Sequence, residues 1–464
     1  MQLRFSPSRG LAILLLSVAL KGVLLAFLVP AWQQPDEPAH FQYTQLMVEE
    51  RRLPVSAGAT LYLSPEVTRS VIAHSYQDKL PLPPAVRIQL SAGGIPADFP
   101  NRLVFGITPV NPASVYGPLY YALLAMPYNI FNHASLEHRL IAMRLMSVLL
   151  FLGVFLIAYG IAFTLRPRRG FALAVAAAVG WHPMAAYIFS GVNNDTLFIF
   201  LATLAFWLLI HIRNRRLTVG HLVLITTLCT LGVFTKAPFV IFLPLFLWVI
   251  CRKITGLTVW VRAVTIVALV IFPATVVLLW HQYVTVPAFP GATAMYTTEV
   301  SQPMLTIGRF TYLTLFYRPW RVFISFWGVF GWLVHPLHAY SFTIVMLLVG
   351  VAAIGVVRLI KDALRRAVSL LTPEIFFLPL VSLLFLEGLY LLLFWRALIV
   401  YNYPEFPNQG RYYFPLLVPF IILCFVGIER LVPQRLHQYG AWGLATLLLM
   451  LNIDALVVML RAWA

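Results

Sequence analysis

The sequence predicts an all-α polytopic membrane protein, and three observations predict it. Of its 464 residues, 61% are apolar and 11% charged, whereas water-soluble domains run near half apolar and a quarter charged. Apolar runs of about 20 residues, the length a helix needs to cross a bilayer, recur along the chain. The breaks between them are short and basic. The excess of 33 Lys+Arg over 16 Asp+Glu therefore reads as topology and contact with membrane lipids, not as a nucleic-acid interface.

Eleven runs are long enough to span: 11–30, 145–165, 171–190, 196–211, 219–235, 237–251, 260–280, 339–358, 375–396, 412–428 and 441–460. The first begins like a signal peptide, but Lys21 interrupts it and no A-x-A-like site follows, so it is expected to stay as an uncleaved span. With the amino terminus in the cytoplasm, 17 of the 33 basic residues fall in inner loops, among them Arg166, Arg168, Arg169, Arg430 and Arg435. The opposite short loops hold only Lys236 and Arg411. The segment Val115 to Phe131 carries Pro118 and Pro127, and counting it as a span would turn every later basic loop outward. It is expected to be an interfacial or re-entrant helix on the outer side. A reporter fused after Arg168 should then be cytoplasmic and one fused after Pro54 external; protease accessibility of the two fusions decides this, and the reverse pattern would overturn the assignment.

Residues 1–464 read as a single membrane domain with two large extracytoplasmic loops, 31–144 and 281–338. The first is rich in proline, so short amphipathic helices and ordered turns are expected rather than long helices. No internal repeat is visible, which weakens an inverted-repeat transporter reading. Cys229, Cys251 and Cys424 lie in or at the ends of apolar runs without ligand spacing, so neither a disulfide framework nor a zinc site is expected.

The first acidic residues, Asp36 and Glu37, stand just outside the first span in WQQPDEPAHFQY, at the start of an expected helix running to about Glu50. Two readings compete. Asp36 suits a helix N-cap, Glu37 the first turn and Pro38 an early helical position. Alternatively one carboxylate is a general base just above the bilayer, and adjacent helical residues point about 100° apart, so one would face the reaction and the other support it.

PDEPAHFQY, WHPMAAYIFSGVNNDTL at 181–197, SFWGVFGW at 325–332 and NQGRYYFP at 408–415 together resemble an uncharacterised bacterial family of multipass membrane proteins. That family is similar to the GT-C superfamily of glycosyltransferases, which includes protein O-mannosyltransferases and lipid A aminoarabinose transferases. The likeness covers nearly the whole chain. It implies a GT-C-like fold and a polyprenyl-phosphate-linked sugar donor used on the extracytoplasmic side of the plasma membrane. It also implies a catalytic acidic residue just past the first span, which carries over onto Asp36 with Glu37 beside it. Asp195 of GVNND is the match for a second acidic residue in the next short outer loop. No D-x-D-type motif accompanies it, so no metal is indicated and no cofactor is expected; Arg and Lys would meet the leaving phosphate.

Arg411, in the stretch opening the tenth span, is either a phosphate ligand or an interfacial anchor beside Tyr412 and Tyr413. Lys236, the one charge in FTKAPF, either binds phosphate or snorkels to the interface. Arg139 and Arg144, at the outer end of the second span, are weaker phosphate candidates. Trp320, Phe323, Phe326, Trp327, Phe330 and Trp332 either form an aromatic belt or contact sugar or isoprenoid. His40 and Tyr412 are candidates for support of the site. Lys21, Glu387 and Asp454 lie inside spans and must pair or line a polar cavity; a Lys21 pair with Glu387 or Asp454 is the structural expectation, a proton relay the transport one.

The leading functional expectation is a GT-C-type, inverting, metal-independent glycosyltransferase of the cell envelope acting on an extracytoplasmic glycan or protein. The alternatives are a transporter or flippase of a lipid-linked glycan and a non-catalytic assembly subunit with the same fold.

Overall fold

The computed structural model describes residues 9–54, 64–76, 86–88, 103–105, 112–213, 215–253, 272–273, 275–276, 305–365, 374–401 and 407–463. Helix α1 is Arg9–Leu28, and the first outer loop then supplies α2 (Glu37–Glu49), α3 (Pro65–Tyr76) and α4 (Leu119–Ile130). One element was not expected in that loop, an antiparallel strand pair joining Val86–Ile88 to Leu103–Phe105. The expected amphipathic pattern is plain in α4: Tyr120, Tyr121, Leu124 and Tyr128 are buried while Met126 and Ile130 are exposed. At 12 residues α4 is about 18 Å long, too short to span.

The bundle proper is α5 (Leu136–Leu165), α6 (Arg169–Gly180), α7 (Pro183–Phe189), α8 (Asp195–Arg213), α9 (Val219–Thr235) and α10 (Phe242–Lys253), with a 3₁₀ turn at Ala237–Ile241. The second outer loop contributes α11 (Ile307–Tyr312) and α12 (Arg318–Trp327), which a π-helical turn at Leu313–Tyr317 joins. Helices α13 (Ala339–Arg365), α14 (Glu374–Tyr401), α15 (Leu417–Leu431) and α16 (His437–Trp463) complete the described bundle. Seven described helices are long and apolar enough to cross a membrane. The run 260–280 falls almost wholly outside the described residues, as does 281–304 of the second loop.

The expected single span at 171–190 is broken. Helices α6 and α7 meet at 61°, because Pro183 at the start of α7 has no N–H to continue the ladder and His182 caps the new helix, its Nδ1 accepting from Ala185 N at 3.3 Å. Helix α5 begins earlier than the apolar run suggests, at Leu136, so Arg139 and Arg144 lie within it. Loops assigned to one side of the membrane do meet: Arg166 pairs with Glu429, and Arg430 with Asp362.

Helix α8 forms the enclosed centre, with Phe198, Ile199, Ala202, Phe206 and Leu209 essentially without exposure, whereas α13 turns Ile344, Leu347, Val351 and Ile354 outward as a lipid-facing side. Helix α13 crosses α15 where two glycines meet. A Cβ on Gly355 would lie 1.8 Å from Gly427 O, and one on Gly427 2.2 Å from Ala352 O, so only residues without a side chain permit this approach. Gly355→Ala should therefore force the helices apart at a cost of about 1–3 kcal/mol. The thermal midpoint in detergent should fall, whereas Gly388→Ala, where nothing lies within 4 Å, should leave it unchanged; equal midpoints for the two would refute the close crossing.

Candidate functional site

Asp36 occupies the position before α2 but does not cap it with its side chain. It stands in the left-handed region, φ 64° and ψ 6°, where aspartate is among the few tolerated non-glycine residues. Its backbone carbonyl accepts from Ala39 N and His40 N at 3.1 and 3.2 Å, and this conformation turns the carboxylate away from the helix and onto Arg411, whose Nη2 donates to Oδ2 at 2.8 Å. Tyr187 secures the preceding loop by donating to Gln33 O at 2.8 Å, and Asn193 Nδ2 donates to Pro35 O at 3.2 Å.

Arg411 is presented by the 3₁₀ turn Gly410–Leu416. Gly410 N donates to Ser325 Oγ at 2.8 Å, and a Cβ on Gly410 would fall 2.1 Å from Phe326 N. The glycine of QGRYYFP thus lets this turn press against α12. Asp195 is the first residue of α8 and Lys236 ends α9; the two form an ion pair. Arg411 Nε lies 3.8 Å from Asp195 Oδ2. Lys236 Nζ also sits 5.5 and 5.3 Å from the ring centroids of Tyr116 and Tyr412, and the Arg411 guanidinium 5.5 Å from Tyr412.

Asp36, Asp195, Lys236 and Arg411, from four distant segments, therefore line one cavity of about 100 Å³ together with His40, Ala113, Tyr116, Asn193, Asn194 and Tyr412. Burial raises the Asp36 pKa, but Arg411, with smaller contributions from His40 and Lys236, more than offsets this and holds the carboxyl below its usual value. Burial lowers His40 to about 4, so its ring is neutral at pH 7; Nδ1 shares a 2.8 Å hydrogen bond with the Tyr121 hydroxyl. Arg411 is 6% exposed, yet its Nε and Nη1 have no hydrogen-bond partner, nor do Asn194 Nδ2 and Asp195 Oδ2. Among the described residues no group of three His, Cys, Asp or Glu gathers as a metal site would require.

The family model described as "Predicted membrane protein (DUF2142)" matches residues 104–420. The chain belongs to this family. The matched stretch holds Asp195, Lys236 and Arg411, whereas Asp36, Glu37 and His40 precede it. No curated protein matches the chain. Among solved structures, the chain is similar to the oligosaccharyltransferase of Archaeoglobus fulgidus. With its zinc and sulfate complex the identity is 12% and the TM-score 0.46, over 97% of this chain and 53% of the other. With AglB of the same organism, bound to an inhibitory peptide and a dolichol-phosphate, the identity is 12% and the TM-score 0.45, over 97% and 56%. The chain thus spans about half the length of these structures.

Four expected site residues of this DUF2142 protein lie elsewhere. Glu37, fully buried, faces away from the cavity: its Oε1 and Oε2 accept from Arg144 Nε and Nη2 at 2.8 and 2.6 Å, from Val192 N at 3.2 Å and from Trp32 N at 3.1 Å. Arg144 cannot serve phosphate, because its remaining hydrogens go to Ala26 O, Val29 O and Pro30 O, at and just beyond the end of α1, at 2.9, 2.6 and 3.1 Å. Arg139 pairs instead with Glu49 and Glu66 and donates to Tyr128 Oη, tying α5 to α2 and α3. Trp327 is not beside the acidic residues either. It stacks on His182 at 5.0 Å and lines a separate apolar cavity of about 260 Å³ with Arg318, Phe323, Phe326, Tyr413 and Phe420.

The intramembrane charges do not pair with one another. Glu387 binds Arg318 at 2.7 and 3.1 Å, Asp454 accepts from His338, Tyr340 and Ser341, and Lys21 Nζ reaches Gly180 O at 3.5 Å. The expected Lys21 pair is absent among the described residues: α12 supplies the donor to Glu387, and His338 with the start of α13 supplies those to Asp454. Sequence reasoning missed Asn193, Asn194 and Tyr116 at the cavity. Asn193 and Asn194 adjoin Asp195 in GVNND, and polar residues in so apolar a segment were the available signal; Tyr116 carried none beyond its place in the aromatic run.

Proposed function

We propose that this protein is an integral membrane glycosyltransferase that moves a sugar from a polyprenyl-phosphate-linked donor to an extracytoplasmic glycan or protein acceptor, with Asp36 as general base. The observation that carries this reading is the meeting of Asp36, Asp195, Lys236 and Arg411 in one cavity, where buried donors on Arg411 and Asn194 lack partners. Unsatisfied buried donors are costly, and a phosphate oxygen is the acceptor they suit. The motif resemblance, which implies a catalytic acid just past the first span, supports the role of Asp36, and the distribution of basic residues supports an orientation with this end of the bundle outside the plasma membrane and the amino terminus in the cytoplasm.

In this reading the donor phosphate engages Arg411 and Lys236. Taking up Arg411 relieves Asp36 of the charge that depresses its pKa, so the base strengthens when the donor arrives. The acceptor hydroxyl gives its proton to Asp36 as its oxygen bonds to the anomeric carbon. The bond from that carbon to phosphate oxygen breaks, and polyprenyl phosphate departs with the electron pair, stabilised by the two cations. A single displacement inverts the anomeric centre. Asp195 holds Lys236, and His40 stays a neutral neighbour of the base.

The transport alternative needs Lys21, Glu387 and Asp454 to act in sequence, and their separate local partners do not favour it. The test is reconstituted protein given polyprenyl-phosphate-linked hexoses and envelope acceptor material. Wild type should release polyprenyl phosphate, and Arg411→Ala should raise the donor KM more than it lowers kcat, since a charge-assisted contact to phosphate exists before reaction. Wild-type levels of transfer from Arg411→Ala would refute the site.

A further inference from the structure

A third cavity lies at the other end of the bundle. It holds about 440 Å³ and is lined by Arg168, Gly170, Phe171, Glu429, Gln434, Arg435 and His437. Arg144, inside α5 beside the acidic segment, and Arg166, at the end of the same helix, are 22 helical positions and so about 33 Å apart. The cavity is therefore remote from Asp36 and sits where α5 and α15 end and where α6 and α16 begin, the ends at which spanning helices meet lipid headgroups.

Its charge is one-sided. Glu429 is the acidic residue in the lining, and it is already paired with Arg166, whose guanidinium also covers the Phe171 ring at 5.3 Å. Arg168 and Arg435 have no carboxylate partner among the described residues. His437 Nε2 donates to Val432 O at 2.9 Å and holds the connecting loop against the opening. At the same end of α16, Leu436, Tyr439 and Trp442 are exposed, an apolar and aromatic flank of the kind that meets glycerol and upper acyl chain.

We propose that this cavity binds the phosphate of an anionic phospholipid headgroup, with Arg168 and Arg435 as its cationic ligands and Leu436, Tyr439 and Trp442 against the lipid body. Two unpaired guanidiniums at headgroup depth suit a phosphodiester, and a zwitterionic headgroup brings its own cation into the same space. By the basic-loop rule the site faces the cytoplasmic leaflet.

Native mass spectrometry of the full-length protein, titrated with phosphatidylglycerol or phosphatidylcholine, tests this. The first lipid retained should be phosphatidylglycerol, and Arg168→Gln/Arg435→Gln should weaken it roughly 30-fold. Millimolar inorganic phosphate should not displace it; displacement would make this a free-phosphate site and overturn the lipid assignment. Because removing loop arginines also disturbs insertion, Gly170→Leu is a second variant. A Cβ there meets only Trp442 Nε1, at 4.0 Å, so the larger side chain occupies the cavity with every charge kept, and retention should fall again. Equal retention of the two lipids by wild type, or undiminished phosphatidylglycerol binding by both variants, refutes the site. None of these outcomes depends on glycosyl transfer.

Discussion

Asp36→Asn is expected to lower transfer about 100- to 10,000-fold, the range a positioned general base supplies, while leaving folding and donor binding near wild type. The change is nearly isosteric and removes basicity. The side chain does not cap α2, so no helix is lost with the charge. What is lost is the charge of the 2.8 Å pair with Arg411; the amide oxygen of Asn can still accept from Arg411 Nη2, and Asp195 Oδ2 at 3.8 Å remains as a counter-charge for the guanidinium. The expected signature is therefore a fall in kcat with an unchanged thermal midpoint. A variant that turns over normally would remove Asp36 as base. One that unfolds would show that the Arg411 pair is structural.

The largest stability effect is expected one residue further on. Glu37→Gln leaves the Arg144 guanidinium charged, 1% exposed, and without its counter-ion, which typically costs roughly 3–5 kcal/mol. Arg144→Met should be at least as damaging, because it strips the donors from Ala26 O, Val29 O and Pro30 O as well as from Glu37. The double variant should be less damaging than the sum of the singles, since no lone charge is left buried. Thermal unfolding of purified protein reads all three. Full additivity would show that the two side chains do not act as a unit. Adjacent carboxylates thus divide the labour: Asp36 faces the cavity, and Glu37 locks the segment that presents it.

That division was half legible in the sequence. The roughly 100° between neighbouring helical positions required the two to point apart, but nothing in PDEP says which faces inward. The deciding feature is the left-handed Asp36, a tertiary consequence of Arg411 lying 375 residues away in sequence. Arg144 was misread for a definite reason. The apolar run begins at 145, whereas helix α5 begins at Leu136, so a residue taken for a phosphate candidate at the helix entry is buried inside the bundle, where an arginine must be paired. Seven of the eleven expected spans are matched by described helices long and apolar enough to cross a membrane, readable because a bilayer imposes length and apolarity on each helix independently, without reference to its neighbours. The bend at His182 was readable too, in WHP, but hydrophobicity alone ran the two helices together. Asp195, Lys236 and Arg411 stood out as the rare charges of short outer loops. Asn193 and Asn194 did not, because an uncharged polar pair changes a hydropathy run very little.

The most direct test of the account is the position of a polyprenyl phosphate soaked into the purified protein and located by cryo-electron microscopy. The account predicts phosphate density in the cavity between Asp36 and Asp195, within hydrogen-bond reach of Arg411 Nε or Nη1 and of Lys236 Nζ, with the Arg411–Asp36 contact lengthened. Density confined to the apolar cavity beside Arg318 and Trp327, with the Arg411–Asp36 pair intact, would contradict it.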